Sequence, residues 1–217
     1  MIIRESKPIE KAKGNEVQII SPEEVVSGMY SWADQIIVAT NRQRLEINNY
    51  MRSVAGRGSE PEVGDKVIAC RNCWDITDIL GDSALVNGTI GYIQNINTQE
   101  VNYPFHGFPK IKLSLTDIET DNGEVFYNIP IDHKSLTIGD KSLTTQQEYV
   151  LGKSNTFRNM VPIEFNYGYA ITCHRAQGSE WDKVLVFEEK FPFEKETHAR
   201  WLYTACTRPS QKLVLVR

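Results

Sequence analysis

What this chain lacks narrows its possibilities first. None of its 217 residues belong to an apolar run long enough to span a bilayer, and no charged-then-apolar leader opens it. A cytoplasmic location and no membrane partner are therefore expected. Cysteine is scarce: Cys70, Cys73, Cys173 and Cys206 are scattered, as in a reducing compartment. Cys70-Arg71-Asn72-Cys73 is a CxxC, but no second pair lies at zinc-site spacing, so no metal is expected. There is no excess of positive charge: 24 Lys and Arg face 28 Asp and Glu, a formal net charge of −4. Contact with nucleic acid would have to come from a local basic groove.

A phosphate loop is missing too. Gly152-Lys153-Ser154 imitates the end of a Walker A motif, yet Gln147 stands where the first glycine belongs and no buried strand leads in. Val184 to Glu189 imitates a Walker B strand ending in acids; without a Walker A partner it reads as a sheet strand with a polar exit. No nucleophile–base pair suggests a free-standing hydrolase. The remainder, 41% hydrophobic and 24% charged, is ordinary for a soluble fold of one or two domains.

What is present centres on Tyr169 to Trp181. An apolar, β-branched run breaks there into a polar cluster (Thr172, His174, Arg175, Gln177, Glu180) around Gly178, and a second apolar run follows. Open α/β sheets place ligand-binding groups at the carboxyl ends of their strands, in turns of this kind. A buried strand followed by a plain polar loop is the alternative. Further on, His198 to Arg208 reads as a helix with Trp201, Leu202 and Ala205 on one face, and Lys212 to Val216 as a strand.

These two segments, YAITCHRAQGSEWD and YTACTRPS, resemble the fifth and sixth motifs of superfamily 1 helicases, particularly the RecD-like branch, whose members include exonuclease V alpha-type subunits. The resemblance implies that Arg208 is an arginine finger, whose planar, always-charged fork suits charge developing on a γ-phosphate. It implies that Gln177, Gly178 and Glu180 contact nucleotide, Glu180 through the ribose hydroxyls. Thr172, His174 and Arg175 would face the backbone of single-stranded DNA, positioning it without reading sequence. Alternatives stay open: Arg208 turned to its own helix end, His174 as a core histidine. Trp181 and Trp201 read as core aromatics, with base stacking the other option. Pro209 departs from the small or basic residue relatives carry there, which puts the finger's geometry in question.

Earlier in the chain, Met1 to Asn15 is polar and expected to be weakly anchored. Ser21-Pro22-Glu23-Glu24 starts a helix predicted to reach Trp32. Gln35 to Thr40 is a buried strand, and Asn41 is expected to cap a helix to about Val54. Asn41 and Arg42 then form a candidate DNA-phosphate corner, resembling the family's fourth motif; a solvated Arg face is the alternative. After the breaker cluster Gly56 to Pro61, short strands joined by Gly/Asn turns predict a small antiparallel barrel, similar to the SH3-like barrel inserted in RecD-like helicases. Arg71, Lys110 and Lys112 there could touch DNA, but cations alternating with apolar residues also describe a solvated sheet face. Asp132 to Arg158 reads as irregular apart from a helix near Gln146, and Val161 to Phe165 as a strand.

The expected fold is α/β, a RecA-like, mostly parallel sheet split by an inserted SH3-like β-barrel: residues 1–60 and 154–217 in the motor domain, 61–153 in the barrel and return linker. The resemblance implies the C-terminal half of an ATP-dependent DNA helicase moving 5′→3′. ATP and Mg²⁺ would be held only with an N-terminal motor domain of the same polypeptide, and exonuclease subunits would be partners. Alone, the chain is not expected to hydrolyse ATP. A non-catalytic nucleic-acid-binding module of the same fold is the second class.

Overall fold

A computed structural model describes residues 16–189 and 194–217; the weakly anchored opening expected for Met1 to Asn15 lies outside them. In chain order the first elements are β1 (Val17–Ile20), α1 (Ser27–Trp32), β2 (Gln35–Val38), α2 (Asn41–Val54), β3 (Lys66–Ala69), β4 (Cys73–Thr77), β5 (Ala84–Leu85), β6 (Ile90–Val101) and β7 (Ile111–Thr120). Then follow β8 (Val125–Asp132), α3 (His133–Ile138), α4 (Thr145–Lys153), β9 (Phe165–Tyr167), β10 (Ala170–Thr172), β11 (Trp181–Phe187), α5 (Lys195–Cys206) and β12 (Pro209–Val216). The chain is α/β and divides into two compact units. One holds the chain up to Met51 together with Tyr169–Arg217, and the other holds Arg52–Gly168.

The first unit is built on a five-stranded sheet, order β1-β12-β11-β2-β10, in which every pairing is parallel. Every residue of β2 is buried, as befits a central parallel strand covered on both faces. Ile36, Val38, Leu185, Val214 and Val216 point to one face and pack with Ile47 of α2 and with Met29, Tyr30 and Trp32 of α1. The predicted helix from Ser21 does not run through. Ser21 and Glu24 form a reciprocal capping box around a short 3₁₀ turn, and Val25 and Val26 adopt extended backbone before α1 begins. Two β-branched valines in succession disfavour helix there.

The second unit carries an antiparallel sheet, order β8-β7-β6-β3-β9, beside the small β4–β5 hairpin. Its two edge strands meet: Ile131 of β8 bridges Ile163, two residues before β9. The strand expected at Val161 to Phe165 in the motor piece lies at Phe165–Tyr167 instead and pairs with β3 of the antiparallel sheet. Within Asp132 to Arg158 the helix expected near Gln146 is α4, and α3 is a second helix where irregular chain was expected. Asp132 caps α3 by accepting from the Lys134 amide (3.0 Å), and Thr144 with Gln147 boxes the start of α4. A buried network secures the start of this unit. The Arg52 guanidinium, over the Tyr167 ring at 4.4 Å, donates to Asp65 (3.0 Å) and to the carbonyls of Gly58 (2.7 Å) and Glu60 (2.5 Å). No helix among the described residues is long and apolar enough to cross a membrane.

Candidate functional site

The turn after β10 sorts its side chains by spacing. The Cys173 amide donates to the Val38 carbonyl (3.1 Å), carrying the β2 pairing one residue past the strand. The amides of Arg175 and Ala176 then both donate to the Thr172 carbonyl (2.9 and 3.2 Å), winding the chain. Cys173 and Ala176 turn inward, and the Cys173 thiol lies 3.5 Å from the Trp201 carbonyl. His174, Gln177, Gly178 and Glu180 face solvent. The core-histidine alternative for His174 therefore fails. Arg175 is half-buried, and its Nη1 is buried with no hydrogen-bond partner among the described residues. A buried donor left unpaired is costly unless something else supplies an acceptor.

At Gly178 the chain enters the left-handed region (φ +86°), and the space a side chain would occupy there is open. Arg208 meets the segment immediately beyond. Its Nη1 donates to the Ser179 carbonyl (3.2 Å), its Nη2 to Thr207 Oγ1 (3.0 Å) and its Nε to the Thr204 carbonyl (3.0 Å). The Trp181 amide returns a bond to the Arg208 carbonyl (3.1 Å). Both readings of Arg208 thus have a physical counterpart: it bonds its own helix end and also the glycine turn. Pro209 does not loosen this corner, because it opens β12 in register with Trp181.

Strand register corrects one premise. Ala170, Ile36, Leu185 and Val214 lie side by side across the sheet. Thr172 is two residues beyond that level, at the carboxyl ends of β10 and β2. Trp181 and Arg208 sit at the amino ends of β11 and β12, about 20 Å back along the strand direction at the usual rise per residue. The polar cluster that looked like one carboxyl-end loop spans the sheet. Thr172 lies at one end, and Gly178, Glu180 and Arg208 gather near the other.

Asn41 and Arg42 belong to the carboxyl end but differ from expectation. Thr40, not Asn41, caps α2: its Oγ1 accepts from the Gln43 amide (3.2 Å) and its carbonyl from the Arg44 amide (3.1 Å). Asn41 is the first helical residue and its Oδ1 accepts from Arg44 Nε (3.2 Å). Arg42 is exposed and pairs with Glu46 one turn on (2.9 Å), the solvated-face alternative. Nearby, the acids that close β11 are engaged. Glu188 meets Arg217 (3.0 Å) and His198 (3.1 Å), and Glu189 accepts from Thr40 Oγ1 (2.9 Å). Trp201 is buried at 9% exposure, which leaves no face for a base; Trp181 is half-buried. Lys153 ends a helix and lies 5.4 Å from the Tyr149 ring centre, far from any strand-to-helix phosphate loop.

Sequence reading missed one array. Ser114 Oγ lies 3.2 Å from His133 Nδ1, and His133 Nε2 lies 3.0 Å from Glu60 Oε2. The order imitates a hydrolytic triad, but Ser114 is fully buried, 2.9 Å from Thr98 Oγ1, and no substrate carbonyl could reach it. Burial holds the His133 imidazole below its ordinary pKa against the opposing pull of Glu60.

Residues 167–216 match the family model of the UvrD-like helicase C-terminal domain. This span contains both segments joined through Arg208. No curated protein sequence matches the chain. Among solved structures, the Pif1 helicase from Candida albicans is similar at 15% identity and a TM-score of 0.46, over 92% of this chain and 47% of that one. Bacteroides Pif1 bound to ssDNA is similar at 14% identity and a TM-score of 0.45, over 99% and 43%. The chain thus spans less than half the length of these structures.

Proposed function

We propose that this chain is the second motor half of an ATP-dependent DNA helicase of superfamily 1B, in the RecD-like manner. Its parallel-sheet unit is read as RecA-like and its antiparallel unit as the inserted SH3-like barrel. The observation that carries the reading is the 3.2 Å bond from Arg208 to the Ser179 carbonyl, which brings the two motif-like segments together inside the span of the helicase match. A guanidinium has five N–H donors, and three bonds leave two available to a phosphate. Gly178 leaves room for close backbone approach, and the exposed carboxylate of Glu180 suits ribose hydroxyls, with Gln177 beside them. Thr172, His174 and the unpaired Arg175 Nη1 offer hydroxyl, imidazole and guanidinium to a strand backbone. Asn41 and Arg42 extend that wall once Arg42 releases Glu46. ATP and Mg²⁺ would need the other half of a longer polypeptide, and without it this chain would not turn over ATP.

The test is single-stranded DNA binding as a function of salt, with Arg175→Ala and His174→Ala. Affinity should fall steeply with salt and weaken in both variants. Binding unchanged in both would remove the strand wall from this turn. In a polypeptide that includes the first motor half, Arg208→Ala should bind DNA normally yet lose on the order of 10³-fold or more in ATP turnover. Retained turnover would end the finger assignment.

A further inference from the structure

The antiparallel unit presents a surface that the helicase reading does not use. The β4–β5 hairpin exposes Trp74 (70%), Ile79 (65%) and Leu80 (76%). Its tip is tied to β8 by the Ile79 amide donating to the Val125 carbonyl (3.0 Å), and two residues along β8 Tyr127 is also exposed. Monomeric surfaces seldom gather large apolar side chains this way. The tip is also rigid. The buried Asp78 carboxylate accepts from the amides of Asp82 (2.9 Å) and Ser83 (3.0 Å), and the Gly81 amide returns to the Asp78 carbonyl (3.0 Å). Two aliphatic side chains are therefore held in solvent by a preorganised turn, which lowers the entropic cost of docking.

Charge identifies the occupant. No Lys or Arg lies between Arg71 and Lys110, whereas Asp75 and Asp82 on the hairpin are exposed. Arg71, which lines the cleft beside Asp75 and Tyr127, is engaged with Glu148, and Lys110, the next cation in sequence, with Glu100. Arg158 remains exposed in the cleft that Asp75 and Tyr127 also line. An acidic, aliphatic tip repels a phosphate backbone. A face-to-face second copy would set Asp75 and Asp82 against themselves. We propose that the β4–β5 hairpin is a docking surface for a segment of a partner protein that combines basic with apolar side chains. This stands independently of the helicase reading.

The test uses fluorescence anisotropy of a labelled peptide alternating Lys and Leu, its Glu-for-Lys counterpart, and oligo-dT, each with the full chain. The basic peptide should bind preferentially. Ile79→Ser with Leu80→Ser should weaken it at least about tenfold, from the loss of two apolar anchors. Asp75→Lys with Asp82→Lys should reverse the preference between the two peptides. These positions are exposed, so circular dichroism and DNA affinity should stay as in the wild type. The proposal is overturned if neither peptide binds or if both bind alike. It is also overturned if oligo-dT competes for the hairpin, if the same variants abolish a self-association, or if a longer form of the polypeptide covers the tip itself.

Discussion

Asn48 of α2 completes the strand that leads into the helicase-like turn. Its side-chain Oδ1 accepts from the Ala170 amide (2.8 Å) and its Nδ2 donates to the Ala170 carbonyl (3.0 Å), both on the outer side of the edge strand β10. The amide imitates a missing neighbouring strand, and at 1% exposure no water can replace it. Asn48→Leu would leave a buried donor and acceptor unpaired, costing roughly 2–4 kcal/mol. Thermal unfolding should show the loss, and amide exchange should accelerate first at Ala170. Unchanged protection there would mean the strand edge does not depend on Asn48.

The second unit depends comparably on Arg52. Its side chain and that of Asp65 are 5% and 0% exposed, and Arg57 also meets Asp65 (2.7 Å). Arg57 still meets Asp65 without Arg52, but the Gly58 and Glu60 carbonyls lose their donor, so Arg52→Ala should destabilise the unit by roughly 2–4 kcal/mol. Arg52→Met, which keeps volume without donors, should be nearly as damaging because the two carbonyls lose their partner and the Asp65 carboxylate loses one of its two guanidinium partners. Denaturant unfolding of both variants checks this, and wild-type midpoints would refute it.

Two thiols should be inert. Burial pushes Cys173 from an ordinary 9 to about 11, and Cys206 to about 12. At mildly alkaline pH that leaves at least about 100-fold fewer thiolates at each than on an unfolded chain. Iodoacetamide should modify neither until denaturant is added. The same shift has a stability sign. The folded state holds these protons more tightly, so their contribution is intact below pH 9 and declines as pH rises toward 11 and 12. Stability flat across that window would contradict the burial.

Gly178 gives a cleaner backbone test. A Cβ there meets nothing within 4 Å, so Gly178→Ala should cost only the left-handed conformation, about 1 kcal/mol. Gly178→Asn should recover part of it. A much larger loss would show that the turn packs against something at that position.

Legibility followed local information. The helix Asn41–Val54 was readable because Leu45, Ile47 and Met51 recur at helical spacing behind a strand. The strand from Val125 was marked by the Asp121-Asn122-Gly123 turn before it, and β11 by the apolar run Val184 to Phe187. β1 escaped because Val17–Ile20 gains its meaning only by pairing with β12 at the far end of the sequence. The β4–β5 hairpin escaped because CWDIT is largely exposed, so no apolar alternation marks it. At the site, residue types were legible but position was not. Nothing local reveals that Thr172 and Arg208 occupy opposite ends of the strands, since that follows from the register of β2 with β10 and β11. The Asn48 and Arg52 contacts, long-range and polar, left no periodic trace at all.

The pairing of β1 with β12 also orders events in time. During synthesis the antiparallel unit has all its strands once Tyr167 has emerged, while the parallel sheet still lacks β10, β11 and β12. β12 sits between β1 and β11, and it is translated after every other strand described. Until then β1 has no neighbour, whereas β2 has both of its flanking strands, β10 and β11, before β12 is made. The interrupted unit is therefore the one finished last, after the inserted one already has every strand it needs to fold.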